Sequence, residues 1–351
     1  MFLLVAAQPA LCGETVEVRV MAFNVLTGGA PVSEVGAGSP LFRRPRHTNL
    51  AEVIRQAKAD LVCVNEPPGA NDPLLPILRA DDPDWRRRGG SDGRINIQLY
   101  SRFPIEPDPE HPDDPTLHQV RVTPARAVIV HTIHWWPAKG YGPDYVQKRW
   151  RAGDFSTAPA EFEADVLAKV GVPATYRKTV ERVKPHLAAG RPVLVLGDFN
   201  EPSHLDWTDG YAARGADRWV RNPTAAPLRP RIAWEGSRTL LSAGLQDAYR
   251  VIHPDPVANP GNTWTPPYAA GTPGRRPWED QVLDRIDFLY FAGDGFSVVQ
   301  AAVIGEARET SDIVHPGPWP SDHRAVLSVF RLDPQNEAAP GRPPNKGKAT
   351  P

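Results

Sequence analysis

Cysteine is scarce: two residues in 351. That scarcity excludes a disulfide-stapled scaffold and a cysteine-ligated zinc module, both of which need more thiols. Cys63 sits inside the apolar run DLVCV and reads as a buried structural thiol; Cys12 lies in the N-terminal MFLLVAAQPALCGE. Long hydrophobic runs are missing too. None approaches the roughly eighteen apolar residues that a membrane-spanning helix needs. A formal net charge of −1 leaves no global attraction to nucleic acid or acidic membranes, so any polyanion must be met by a local patch. Neither an internal repeat nor a linker-like stretch divides the body, so one domain is expected over residues 16–333.

Proline, by contrast, is abundant. Forty prolines and 28 glycines make up roughly a fifth of the chain, below the level of low-complexity disorder. They point to many rigid loops between strands. The basic residues are mostly arginine, clustered in RRPR (43–46), RRR (86–88) and KRWR (148–151). These read as solvated loop faces or as arginine forks able to recognise phosphate. The first twelve residues are apolar and small, like the h-region and cleavage region of a secretory signal, without its basic n-region. Residues 1–15 are therefore expected to be a truncated signal segment and the protein secreted or periplasmic, or cytoplasmic if the segment is not a signal. Residues 334–351, polar and proline-rich, read as a disordered tail.

Periodicity then places the elements. In TVEVRVMAFNVL, Val16, Val18 and Val20 alternate with Glu17 and Arg19, a strand whose polar face turns apolar at Met21 and Phe23. HTNLAEVIRQAKA has helical spacing, with Thr48 or Asn49 as the expected N-cap. DLVCVNE, INIQLYSRFPI (stopped by Pro104), RAVIVHTIHW, VLVL, RIDFLYF and AVLSVF read as strands. Residues 161–188 read as helical, with Pro185 perturbing the last turn, and SRTLLSAGLQDAYR reads as a short helix closed by Gly244. Many strands with a few interspersed helices fit an α/β or α+β sandwich of two sheets with helices on the outer faces.

The chemistry gathers where these strands end. Asn24 closes the first, Glu66 the second and His134 the middle strand, and Asp198 and Asn200 follow VLVL in GDFN. Asp287 stands in DRIDFLYF, and PSDH, with Asp322 and His323, introduces the last strand. One Asn or one Asp-His at a strand end is ordinarily a turn former or a surface pair. Six ends that all present metal-ligand or proton-transfer groups call for a shared site. Carboxylate and amide oxygens suit a hard divalent cation, Mg²⁺ first, then Mn²⁺ or Ca²⁺. No HExxH or paired-cysteine spacing argues for zinc. A hard cation with two histidines suits attack on phosphorus, with a carboxylate or imidazole activating water.

These residues resemble the endonuclease/exonuclease/phosphatase superfamily, which includes deoxyribonuclease I, exonuclease III, AP endonucleases, neutral sphingomyelinases and inositol polyphosphate 5-phosphatases. The resemblance runs from VRVMAFNV through DLVCVNE, LYSRFPI, HTIHWW, VLVLGDFNEP and LDRIDFLYF to PSDHRAVLSVF; GDFN and SDH in that order carry most of its specificity. It implies a four-layered α/β sandwich, two mostly antiparallel sheets face to face with helices outside and the site at one end. It implies Asn24 near the metal, Glu66 as principal metal carboxylate and His134 at the scissile phosphate. Asp198 resembles the group that orients or deprotonates water, and Asn200 the one that binds a phosphoryl oxygen; both belong to the expected metal environment. Asp322 resembles a further metal carboxylate, His323 the catalytic imidazole, and Asp287 its orienting partner, with Asp284 a weaker candidate for that role. Asn65 stands where the family's motif has glutamine.

For the substrate, GNTWTP resembles the family loop that presents an aromatic beside the site, making Trp264 a candidate to stack on a base or ring. His204 and Trp207, in SHLDW, are placed as supporting or substrate-rim residues. HWWPAKGYGPDYVQKRW reads as a substrate flank or as a structural insertion. The leading expectation is a monomeric, Mg²⁺-dependent phosphodiesterase acting on a phosphoester, nucleic acid foremost. The alternatives are a phospholipase C or sphingomyelinase-like activity, a small-molecule phosphoesterase, or a catalytically silent binding module on the same fold.

Overall fold

A computed structural model describes residues 14–32, 40–69, 71–89, 96–135, 140–152, 159–170, 173–213, 230–264 and 282–334. The expected signal segment and tail lie outside them, apart from their inner ends. In one sheet β1 (Val16–Asn24) is central. On one side of it lie β2 (Leu61–Asn65), β4 (Ile97–Ser101) and the edge strand β3 (Arg86–Arg88). On the other lie β13 (Ala325–Leu332), β11 (Phe296–Gly305) and β12 (Ile313–Val314). The second sheet runs β5 (Ile105–Pro107), β6 (Leu117–Thr123), β7 (Arg126–His134), β8 (Val193–Asp198), β10 (Asp287–Ala292) and β9 (Gln246–Asp247). Pairing is antiparallel except at β1–β2, β7–β8 and β11–β12.

Strand alternation decides which side chain enters which layer. Val18, Val20 and Ala22 of β1 point into the core between the sheets, with Cys63, Leu99, Val130, Leu196 and Phe330. Met21 and Phe23 point the other way, into a second core under α1 (His47–Gln56) and α2 (Leu74–Arg79). The apolar turn seen in the sequence of β1 thus marks a strand covered on both faces. On the far side, Ile129, Val193 and Val195 pack outward against Tyr176 and Val183 of α5 (Pro173–Ala188) and Leu240 of α7 (Glu235–Ser242). Two sheets and two helical layers make the four-layered α/β sandwich. A satellite core joins α3 (Gly142–Arg151) and α4 (Pro159–Val170) to Trp207 and Trp234. Short α6 (Asp209–Ala213) and α8 (Ala248–Ile252) complete the described α-helices, and none of the described helices is long and apolar enough to cross a membrane.

Several local expectations are corrected. The run RRR is a strand, not a loop. INIQLYSRFPI splits at its proline: β4 stays in the first sheet and β5 starts the second. SRTLLSAGLQDAYR divides into α7, the two-residue β9 and α8, with Gly244 at φ 94 between them. Helix α1 begins at His47, and its N-cap, Arg46, makes no side-chain cap. The Arg46 side chain is wholly buried instead, donating to the carbonyls of Leu26, Ala30 and Pro320. Strands β6 and β11 were not anticipated.

β6 and β7 carry two fully buried histidines, His118 and His131, whose ring nitrogens have no hydrogen-bond partner among the described residues. Burial, helped by Arg88, holds His118 down to about 4, and burial, helped by Arg182, holds His131 down to about 3. Both are neutral in the native state, while the unfolded chain binds protons near the ordinary imidazole value. Their contribution to stability is therefore present above about pH 6.5 and is lost as pH falls through the native values. Urea unfolding at pH 7.5 and pH 5 should show a smaller loss for a His118→Leu/His131→Leu variant than for the wild type, by about 1 kcal/mol or more. Equal losses would show that these histidines do not contribute to acid sensitivity.

Candidate active site

Registry brings the strand ends together. Asn24 is level with Asn65 across β1–β2, and His134 with Asp198 across β7–β8. Asp287 pairs with Asp198 across β8–β10, while β13 starts beside the end of β1 with Asp322 and His323 just before it. Each sheet therefore delivers its polar residues to the same edge, and side chains close the gap between the edges. Asn24 Nδ2 donates to Asp198 Oδ2 at 3.0 Å and to Glu66 Oε1 at 3.4 Å. The Asn24 oxygen accepts from the Leu26 N–H at 3.1 Å, so its nitrogen, not its oxygen, faces the carboxylates.

Asn65 supplies the second tie. Its Nδ2 donates to the Ile133 carbonyl at 2.7 Å and its Oδ1 accepts from the Asp198 N–H at 3.0 Å. It therefore holds the tip of β8 from the other sheet. Gly197 makes this approach feasible: at φ 137, a Cβ there would run into the Ile133 carbonyl oxygen. Sequence reasoning saw Asn65 only as a motif departure, since no periodicity shows a side chain crossing between sheets. Asn65→Ala would leave two buried polar groups without partners, at a cost of about 1–3 kcal/mol each. Chemical denaturation should show a loss of that order, and an unchanged midpoint would refute the assigned role.

Around Asp198 the groups converge. His134 Nε2 lies 3.6 Å and His323 Nε2 4.0 Å from Asp198 Oδ2, and the Asn200 N–H donates to Asp198 Oδ1 at 2.9 Å. His323 Nδ1 is 2.9 Å from Asp287 Oδ2. Thr263 Oγ1 accepts from the Asp287 N–H at 3.1 Å, and Ser321 Oγ donates to the Asn24 carbonyl at 2.6 Å. Glu66 and Asn200 sit at φ 52 and 49. This left-handed conformation costs a non-glycine residue about 1–3 kcal/mol, less for asparagine. In this conformation, Glu66 Oε2 accepts from the Thr27 N–H at 2.8 Å.

The electrostatics follow from burial. Burial and the neighbouring Asp287 push the Asp198 carboxyl up to about 6, against the pull of His323 and His134. For His323, burial opposes the charged form, but the ion pair and hydrogen bond with Asp287, aided by Asp198 and Asp322, overcome it and raise the imidazole to about 10. At neutral pH His323 is a buried imidazolium between two aspartates.

The donor set fits a hard divalent cation. One carboxylate oxygen each from Asp198 and Asp287 and one His323 nitrogen lie within 4.8 Å of one another; while His323 is protonated, only the two carboxylates of this group can ligate. Asp287 Oδ1 is buried with no hydrogen-bond partner among the described residues. Burial first, and then the neighbouring Asp287, raise the Asp198 carboxyl, and a bound cation would favour its ionised form. Glu66 extends the oxygen set through Asn24.

The remaining sequence candidates are placed as follows. Asn200 Nδ2 donates to the Trp135 carbonyl at 2.8 Å, and Asp322 is buried beside His323. Trp264 lies next to the site, its ring centroid 6.2 Å from that of His323 and 5.5 Å from Tyr141. It is Asp287, not Asp284, that bonds His323 Nδ1; Asp284 holds other partners. It accepts from Tyr141 Oη and from Trp207 Nε1, both at 2.9 Å, and its backbone bridges to that of Trp264. Trp207 is thus a buried support rather than a rim residue. His204 packs against α7, where its Nδ1 is 2.7 Å from Ser237 Oγ, and makes no described contact with the cluster. Of the HWWPAKGY stretch, residues 136–139 lie outside the described residues.

A family model described as the endonuclease/exonuclease/phosphatase family matches residues 21–323, from β1 to His323. The chain belongs to this family. It shares 32% identity over 140 residues with an uncharacterized Caenorhabditis elegans protein. That match spans 40% of this chain and 40% of the relative's length. Among solved structures it is similar to the 3′-5′ exonuclease NExo from Neisseria meningitidis, with 16% identity and a TM-score of 0.49 over 89% of this chain and 98% of the other. It is also similar to truncated Caenorhabditis elegans TDP2, with 14% identity and a TM-score of 0.45 over 90% and 97% of the two chains. The family is one of phosphoester hydrolases that generally use divalent metals.

Proposed function

We propose that the protein is a Mg²⁺-dependent phosphodiesterase with nucleic acid as its substrate class. The observation that carries this reading is the convergence of Asp198, Asp287 and His323 at one sheet edge, with one ligand atom of each within 4.8 Å of the others and His323 4.0 Å from Asp198. Glu66, Asp198 and Asp287 would hold the metal, which when bound withdraws charge from a phosphoryl oxygen. Asp198 orients the attacking water and takes its proton. His323 cannot act as that base while protonated. It instead faces the charge that develops on the phosphoryl oxygens and is poised to give its Nε2 proton to the leaving oxygen. His134 and Asn200, on either side of Asp198, position the phosphate. Trp264, backed by Tyr141 and Asp284, offers a flat face to a base; such stacking contributes about 1–3 kcal/mol per base.

The test is a substrate panel of plasmid DNA, single-stranded DNA, RNA, sphingomyelin and bis-p-nitrophenyl phosphate, each with Mg²⁺ and with EDTA. Metal-stimulated turnover of a nucleic acid is the expected result. Turnover confined to sphingomyelin would replace nucleic acid with a phospholipid, and no metal-stimulated turnover on any member would overturn the reading.

A further inference from the structure

The arginine run RRR, unused by the active site, forms the edge strand β3. Beside it lies a groove of about 490 Å³ lined by Leu75, Arg79, Arg86, Arg87, Arg88 and Ile105. The last comes from β5, the edge of the other sheet, so the groove runs along one flank of the sandwich. Arg86, Arg87 and Arg88 are only partly exposed, and Arg79 is exposed. Two of these guanidinium groups are held by backbone carbonyls. Arg86 Nη1 donates to the Asp84 carbonyl at 2.6 Å and to that of Arg102 at 3.0 Å, and Arg79 Nε donates to that of Trp85 at 2.8 Å.

Among the described residues the charge of the groove is not balanced. Arg87 lies 3.2 Å from Asp72 and Arg86 3.4 Å from Asp84. The other nearby acids are engaged elsewhere: Asp81 with Arg55, Asp60 and Asp82 with Arg102, and Glu106 with Arg121. Among the described residues no carboxylate pairs with Arg79 or Arg88. Four cations against two anions is a local excess on a chain whose formal net charge is −1.

Registry also fixes where the excess lies. Arg88 pairs with Leu99, and Leu99 with Cys63, three residues before Glu66. With roughly 3.4 Å per residue and 4.8 Å between strands, Arg88 is about 14 Å from Glu66. That distance is about four base-pair steps along a duplex axis. β3 runs towards the catalytic end, with Arg88 the nearest of its arginines to that end.

We propose that this groove binds the phosphate backbone of a nucleic-acid substrate several nucleotides away from the scissile bond. The proposal rests on the nucleic-acid reading above and extends it to a second contact region. Edge strands also carry charge to prevent pairing with other strands, but that role calls for fully solvated charges, whereas Arg86, Arg87 and Arg88 are only partly exposed and Arg86 and Arg79 are held by backbone carbonyls. An anionic membrane would want large apolar side chains beside the arginines. The large exposed apolar residues among those described are Val251 on α8 and Val314 on β12, the opposite edge of the sheet.

The test compares wild type with Arg79→Gln/Arg88→Gln and, as a charge-retaining control, Arg79→Lys/Arg88→Lys. Binding of a fluorescein-labelled 20-nucleotide strand is followed by anisotropy in EDTA from 50 to 200 mM salt, and hydrolysis of bis-p-nitrophenyl phosphate is followed with Mg²⁺. The Gln variant should bind more weakly, with the slope of log affinity against log salt reduced by about 1.4, or 0.7 for each lost phosphate contact. The Lys variant should keep most of the slope, and turnover of the small diester should be unchanged in both. An unchanged slope in the Gln variant, or no oligonucleotide binding by the wild type, overturns the groove. Salt-dependent binding without cleavage of the oligonucleotide in Mg²⁺ overturns the nucleic-acid activity and leaves the groove standing. Loss of cosedimentation with phosphatidylserine vesicles alone, with oligonucleotide binding intact, would assign the groove to a membrane.

Discussion

Asp198→Asn is expected to lower kcat by about a hundredfold to ten-thousandfold on whichever phosphodiester the protein cleaves, the range for removing a positioned acid–base group. Asparagine keeps the volume of the side chain and an oxygen for the Asn200 N–H, and the backbone N–H donated to Asn65 is untouched. What disappears is the proton acceptor. A carboxyl raised to about 6 is mostly ionised at pH 7 yet basic enough to take a proton from water that is being deprotonated. The substitution also removes one of two buried negative charges that repel each other across β8–β10, Asp198 and Asp287. That relief is set against the Asn24 Nδ2 donor, which loses its acceptor at this position, so thermal melting should change little. Activity lost with the fold retained separates this outcome from misfolding, and near-normal kcat in a well-folded variant would remove Asp198 from the mechanism.

Asp287→Asn should be nearly as damaging, for a different reason. The Asp287 carboxylate, 2.9 Å from His323 Nδ1, is the largest influence favouring the imidazolium against burial. Without it, burial dominates and the pKa falls from about 10 towards or below the ordinary imidazole value. The ring then loses its proton around neutral pH, and with it both the charge facing the phosphoryl oxygens and the proton for the leaving group. A loss of about a hundredfold to a thousandfold in kcat is expected, the scale for removing one preorganised stabilising group. His323→Ala should cost at least as much. NMR of the metal-free protein provides a direct check: the His323 ring should remain charged at pH 8 in the wild type and titrate lower in Asp287→Asn. An imidazole that titrates alike in both proteins would show that Asp287 orients the ring without controlling its charge.

Much of this was legible because it lies in residue type and local order. GDFN after an apolar strand and SDH before another each state, within a few residues, that a rigid element ends in polar groups. Met21 and Phe23 announce a strand covered on both faces. Other features were illegible for a physical reason. Asn65 acts through two bonds to the other sheet, and its partners Ile133 and Asp198 are 68 and 133 residues away. Asp284, three residues before Asp287, reads as an alternative partner for His323; strand and loop geometry turn it to Tyr141 and Trp207 instead. RRR looks like solvated loop because three successive charges have no strand periodicity, yet pairing with β4 draws it into an edge strand. Propensity is overridden there by a neighbour that sequence does not display.

By itself, then, the sequence determined the chemical types present: hard oxygen donors, two histidines, the strands that end in them, and the family to which the chain belongs. Those depend on composition and on patterns only a few residues long. The tertiary structure alone decided which face of Asn24 meets the carboxylates, which aspartate grips His323, and that His323 carries a proton where Asp198 can lose one. Orientation and protonation depend on distances of 3 to 4 Å and on burial, and both arise only when residues far apart in the chain are held in register at one sheet edge.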